Sequence, residues 1–268
     1  MENDWKADMK SNGNEKDLKR LEQYLPWSLG VISLLKNNDF LDVYHLPESD
    51  FIAILNRYHE WIGFCKNQED ISEIIGHIKK LGRNCRIVIT SRDKLYESTL
   101  GSFEGKSYHI EDFMIGKLNI TKMPNEYILA RKEDFADLAR LQMDYCREEV
   151  SWSYHQKNLN DYYADYQKKI DCGNIFVYGN PVKSKVEIIS SHLNFVKVGS
   201  VYTDKNYRGQ GMAKMCLAGA LNWCMMTSLI PCLNVRKDNL IAKRIYLKSG
   251  FEDNGEVLYY EYNAIGQS

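Results

Sequence analysis

One stretch, residues 198–214 (Val-Gly-Ser-Val-Tyr-Thr-Asp-Lys-Asn-Tyr-Arg-Gly-Gln-Gly-Met-Ala-Lys), restricts the possible folds of this chain more than any other. Val198, Val201 and Tyr202 are the β-branched and aromatic residues of a strand. Two glycines follow in a turn, and from Met212 to Thr227 only Lys214, Asn222 and Thr227 are polar. A helix apolar on most of its circumference is a buried one. A glycine-bearing turn that feeds a helix start leaves backbone N–H groups without partners and pointing one way. With the positive end of the helix dipole behind them, those groups form an anion site. Each dipole interaction contributes about 0.3–1 kcal/mol. The pattern predicts a phosphate cradle between a strand and a buried helix.

The spacing G-x-x-x-x-G-K-[ST] is absent, and so is G-x-G-x-x-G, which removes the P-loop and the dinucleotide fingerprint. What stands in the cradle is Arg208-x-x-Gly211-x-Ala213. It resembles the [QR]-x-x-G-x-[GA] pyrophosphate loop of the GNAT superfamily of N-acetyltransferases. The longer run Gly199-Ser-Val-Tyr-Thr…Tyr207-Arg-Gly-Gln-Gly211 is similar to a subgroup of bacterial predicted acetyltransferases whose catalytic domain lies at the C-terminal end. A second, independent segment, Asn239-x-x-Ala242-x-x-x-Tyr246-x-x-x-Gly250-Phe251, is similar to the helix that follows in that superfamily. There an Asn and an Ala face coenzyme A, a Tyr reaches its sulfur, and Gly-Phe closes the helix.

The resemblance implies an acetyl-CoA co-substrate and a set of contacts. Main-chain N–H groups of Gln210, Gly211, Met212 and Ala213 would bind the pyrophosphate, with Arg208 and Gly209 shaping the loop. A Cβ at Gly209 or Gly211 is expected to block the close approach. Val201, Tyr202 and Thr203 would offer the pantetheine arm a short strand edge, because in the superfamily this strand splays from its neighbour. Asn239 and Ala242 would face the coenzyme, Asn239 also serving as a helix N-cap. Lys214, Lys243 and Arg244 are candidates for the ribose 3′-phosphate. Tyr246 would protonate the departing thiolate, or it is simply a core tyrosine beside Ile241 and Ile245.

The general base is harder to place. An amine of lysine type, with a pKa near 10.4, is neutral in roughly one molecule in a few thousand at pH 7. Many superfamily members carry a carboxylate on the strand before the cradle, but residues 193–203 contain none. Glu148 and Glu149, after the first helix of the second region, are the chosen candidates, with Glu187 and His192 behind them. Each has the competing reading of a solvated surface residue.

Composition bounds the rest. A length of 268 residues suits one large domain or two ordinary ones, and 44% hydrophobic residues allow a sizeable core. A net charge of −1 gives no electrostatic case for nucleic acid. Seven cysteines at scattered spacings, with no C-x-x-C, indicate neither a disulfide framework nor a zinc site. No signal pattern opens the chain, and the longest near-apolar stretch, residues 215–226, is too short for a bilayer. The expectation is a cytoplasmic protein, with no metal, no membrane and no nucleic-acid partner, acting on a small-molecule or peptide amine, as a monomer or an oligomer.

The expected fold is α/β, a mixed sheet with helices. Residues 1–123 read as an N-terminal α/β domain, a degenerate GNAT-like half on fold analogy. Residues 124–268 read as the catalytic domain, with the boundary at Lys122-Met-Pro-Asn125, where Pro124 interrupts helix and ladder alike. In the first region, helix is expected up to Glu22, strand at 40–46 and across 51–65, helix over 70–81, and strand at 86–90 and 106–120. In the second, the order is strand 127–130, helices 133–150 and 159–170, strands 174–178, 186–195 and 196–203, the cradle and its helix, strand 232–235, a helix from Asn239, and strand 256–262. The function expected is acetyl transfer to a primary amine by direct attack in a ternary complex. The alternatives are a longer acyl donor, or a non-catalytic acyl-CoA sensor.

Overall fold

The computed structural model describes residues 14–38, 40–45, 52–56, 60–65, 71, 85–92, 106–117, 128–150 and 159–262. Of the expected helix at 70–81 only Ile71, helical and buried, is described, and the expected boundary at 122–125 falls outside the described residues. Contacts divide the chain into two compact units that interleave in sequence. The first comprises 1–115, 234–243 and 252–268, and the second 116–233 and 244–251.

The first unit opens with helices α1 (Asn14–Glu22) and α2 (Leu29–Asn37), then strands β1 (Asp42–His45), β2 (Ile52–Leu55), β3 (Glu60–Cys65), β4 (Cys85–Ser91) and β5 (Lys106–Gly116). The stretch 51–65, expected to add further strand, supplies the antiparallel hairpin of β2 and β3. Its turn is closed by Asn56, whose Oδ1 accepts from the Glu60 amide at 3.0 Å. Ile52 then sits opposite Phe64. Leu21, Val31, Ile32, Ile52, Ile54 and Phe64 form the core of this unit. β3 and β4 run parallel, Glu60 opposite Arg86. The late strand β10 (Phe251–Tyr262) pairs antiparallel with β4, from Glu256↔Ser91 to Tyr262↔Cys85. The unit's strand order is therefore β1-β2-β3-β4-β10-β5. Two of its buried carboxylates have these partners: Tyr259 donates to Glu111 at 3.0 Å, and Lys243 pairs with Asp112 at 2.6 Å and with the exposed Asp253 at 3.1 Å.

The second unit places a 3-10 turn, Lys132–Asp134, ahead of α3 (Phe135–Glu149), then α4 (Leu159–Asp171), β6 (Ile175–Tyr178), β7 (Ser184–His192), β8 (Phe195–Thr203), α5 (Met212–Met226) and the start of β9 (Ile230–Arg236). The end of helix α6 (Leu240–Lys248) also belongs to it. Its strands run β9-β8-β7-β6. Leu138, Leu141, Tyr162, Tyr166, Ile170 and Ile175 fill the core under α3 and α4, with the Phe135 and Tyr163 rings stacked at 4.1 Å. The expected strand at 127–130 is a single bridge, Leu129 to Phe176. The apolar helix is buried as expected: six consecutive residues, Cys216 to Leu221, and then Cys224 are inaccessible. No described helix is long and apolar enough to cross a membrane, and among the described residues no group of His, Cys, Asp or Glu could hold a metal.

Candidate active site

The second unit builds the cradle in four steps. β8 ends at Thr203, and Asp204 turns the chain, its Oδ1 accepting from the Asn206 amide at 3.0 Å. Arg140 of α3 donates to the other Asp204 oxygen at 2.8 Å, so the turn is tied to that helix. The Asn206 amide and the Arg140 guanidinium, working against partial burial, hold the Asp204 carboxyl below its usual range. After the 3-10 turn Lys205–Tyr207, Gly209 (φ 80°) and Gly211 (φ 78°) carry the chain into α5. Among the described residues, the amides of Gly209 through Lys214 have no acceptor in the protein. Those of Gly211 through Lys214 are the four orphan donors at the head of a fifteen-residue helix, and Gly209 and Gln210 precede them.

Gly209 and Gly211 are both left-handed, with open space on the side a Cβ would take. A Cβ at Gly209 or Gly211 would meet no protein atom within 4 Å. Within the protein, the demand for glycine comes from the left-handed backbone, which a side chain occupies at a cost. Such open space over unpaired amides fits a diphosphate, and these residues would hold it.

Arg208 points back along the strand. Its Nε donates to the Thr203 carbonyl at 3.1 Å, its Nη2 to Glu148 at 2.5 Å, and its guanidinium lies 5.3 Å from the Tyr202 ring centre. Tyr202 donates its hydroxyl to the other Glu148 oxygen at 2.9 Å. Partial burial pushes the Glu148 carboxyl up, but Arg208 and Tyr202 outweigh it and hold the group below its usual range. A carboxylate so held accepts a proton less readily. Glu148 therefore anchors Arg208, while Glu149 at the same helix end is half-buried.

β8 also has a freed edge. Its parallel pairing with β9 covers only Phe195–Lys197 against Ile230–Cys232, although β8 continues to Thr203. On its other side β8 is bulged. Lys185 faces Tyr202 and Glu187 faces Gly199, so Ser200 and Val201 together oppose Val186. Ser200 takes up the bulge at φ 48°, which is unusual for a residue with a side chain.

The other expected residues fall as follows. Tyr246 in α6 is 6% exposed, its ring edge-on to Phe251 at 5.9 Å, and Gly250 (φ 87°) ends the helix before Phe251. Asn239 and Ala242 lie in the segment belonging to the first unit, where Asn239 Oδ1 accepts from the Ala242 amide at 3.1 Å as an N-cap does. Lys243 is committed to Asp112 and Asp253, while Lys214 and Arg244 are exposed. His192 pairs with Phe195 at the closed end of the hairpin, whereas Thr203 pairs with Ser184 at the other. Eight steps of about 3.3 Å separate the two ends, roughly 26 Å, which removes His192 from the cradle.

Glu187 is not the solvated residue that a polar strand position suggests. It is wholly buried and ion-paired to Lys185, also wholly buried, and to Lys169 at 2.6 Å. Tyr166 donates to it at 2.5 Å. Burial alone would push the Glu187 carboxyl up, yet the two lysines bring it down to about 2. Lys185 was missed from sequence altogether. The only signal was a lysine two residues from a glutamate in a strand rich in valine and isoleucine.

A family model described as GNAT acetyltransferase matches residues 40–260, which takes in most of the first region as well as the second. Among solved structures, an acetyltransferase of the GNAT family from Colwellia psychrerythraea is similar, with TM-score 0.59 at 10% identity, covering 92% of this chain and 97% of its own. A GCN5-related N-acetyltransferase from Kribbella flavida gives TM-score 0.57 at 12% identity, covering 90% and 94%. A protein from Drosophila gives TM-score 0.61 at 9% identity, covering 94% and 96%. At such identities these structures speak for the fold alone. No curated protein matches the sequence. With a family model spanning well over half its length, this chain belongs to the GNAT acetyltransferase family.

Proposed function

We propose that the protein transfers an acetyl group from acetyl-CoA to a primary amine in a ternary complex. The observation that carries this reading is the run of acceptor-less amides from Gly209 to Lys214 at the head of a long helix. In this reading, Gln210 to Ala213 bind the diphosphate, and the freed edge of Val201–Thr203 binds the amides of the pantetheine arm by strand addition. The amine attacks the thioester carbonyl, and a tetrahedral intermediate collapses with loss of the coenzyme thiolate. Tyr246 donates a proton to that sulfur. The amine's own proton leaves through Glu149, since Glu148 is engaged with Arg208 and Tyr202.

Gly211→Asp places bulk and negative charge at the diphosphate. Calorimetry is expected to show acetyl-CoA binding by the wild type and none by this variant; unchanged affinity would remove the assignment. Thiol release across a panel of small amines and peptides then tests transfer. One observation favours the sensor reading instead: β8 carries no carboxylate, and Glu187 on the neighbouring strand is locked in ion pairs. Acetyl-CoA binding without thiol release for any amine would decide for that alternative.

A further inference from the structure

The second unit spends two buried charges where apolar residues would pack. Lys185 and Glu187 flank Val186 on β7, and all three are wholly inaccessible. Removing ions from water is costly unless each finds partners, and a well-packed apolar substitute is often as stable. What an apolar side chain could not supply is the donor that Lys185 Nζ offers to the Ser200 carbonyl at 3.3 Å. That carbonyl belongs to the bulge, where the register of the ladder shifts. Lys185 is fixed in turn by Gln142 Oε1 at 2.7 Å and by Glu187. Glu187 is fixed by Tyr166 and Lys169.

We infer that this network holds the left-handed bulge of β8, and that Lys185 is a positioning residue for the strand edge that leads into the cradle. The bulge sets which face each later residue of β8 presents, because a one-residue slip reverses every side chain beyond it. Tyr202 and Thr203 are the next two positions. Tyr202 holds Glu148, and the Thr203 carbonyl receives Arg208, so losing the bulge would misplace the whole clamp behind the loop. Glu187 holds the Lys185 ammonium where it reaches Ser200. The inference deepens the acetyl-CoA reading and relies on it for the binding readout.

The test is a double-mutant cycle in the full chain, between Lys185→Met and Ser200→Gly. Glycine adopts a left-handed conformation without strain, so it keeps the bulge with less help. Lys185→Met is expected to weaken acetyl-CoA binding by about tenfold and to speed amide exchange at residues 200–203. In the Ser200→Gly background the same substitution is expected to cost about threefold or less, a coupling between residues in contact. A merely structural role for Lys185 gives the same loss in both backgrounds, and that additivity overturns the inference. Should Lys185→Met fail to fold, Glu187→Gln takes its place in the cycle under the same criterion. If the wild type binds no acetyl-CoA, the functional reading falls, while the exchange cycle at 200–203 still decides the role of Lys185.

Discussion

Gly211 and Gly255 are both left-handed glycines, and they differ in what stands where a Cβ would be. Gly211 has φ 78° and open space where a Cβ would stand. Gly255 has φ 133°, and a Cβ there would come within 2.3 Å of the Ser91 carbonyl oxygen. Gly211→Ala should therefore cost only the left-handed strain, about 1–2 kcal/mol by chemical denaturation. Gly255→Ala should cost more, because a backbone atom must move. Reversed rankings would show that the space over Gly211 is an incorrect picture of the loop. Tyr246 admits a similarly direct test. Tyr246→Phe keeps the packing on Phe251 and removes only the hydroxyl, so kcat should fall roughly 10²-fold with near-normal acetyl-CoA affinity. Full activity would leave Tyr246 as a packing residue. The glycine loop and this tyrosine were legible in the sequence because their spacing survives as a motif. The Arg208–Glu148–Tyr202 clamp was not, since residues 60 apart must be brought together by the fold before their chemistry shows.

At the scale of elements, local patterning was enough for α3, α4, α5 and the β7–β8 hairpin, and it failed where burial contradicts polarity. β7 reads Ser-Lys-Val-Glu at its start, which on a half-solvated strand would put Lys185 and Glu187 on the wet face. With α3 and α4 covering that face, they are buried instead and must pair. The pairing gives a pH dependence with a definite sign. Glu187 has a folded pKa of about 2, below its ordinary 4.5, so its contribution to stability is present in full above the ordinary value. It is lost as pH falls from about 4.5 towards 2, where the folded state takes up the proton. Glu187→Gln should flatten acid denaturation in that window, and an unchanged acid limb would show that the pair does not respond as drawn. Helix α5 offers a second contrast. Leu221, 1% exposed, should cost roughly 2–5 kcal/mol on truncation to Ala. Met226, 70% exposed, should stay within about 0.5 kcal/mol of the wild type.

For the whole molecule, the informative fact is that the chain crosses between its two units four times, so that the last strand is claimed by the first unit. Sequence reading favours a cut near 123, because Pro124 and a change of pattern stand there and the cradle motifs all lie beyond it. Local signals cannot reveal a strand pairing that closes over more than 160 residues, yet β10 and β4 make one, seven residues long. Val257 and Leu258 are wholly buried and Tyr260 nearly so, in a strand whose edge β4 covers. A fragment of residues 124–268 would keep the cradle motifs but leave β10 without β4, exposing a hydrophobic edge of the kind that pairs with other chains. Expressed alone, it should aggregate or melt without a cooperative transition, whereas the full chain should unfold cooperatively in calorimetry. A soluble, cooperatively folded fragment that binds acetyl-CoA as the full chain does would show instead that residues 1–123 are an appendage. The family match beginning at residue 40 points the same way as the strand pairing: the early residues complete a sheet that the late ones cannot close by themselves.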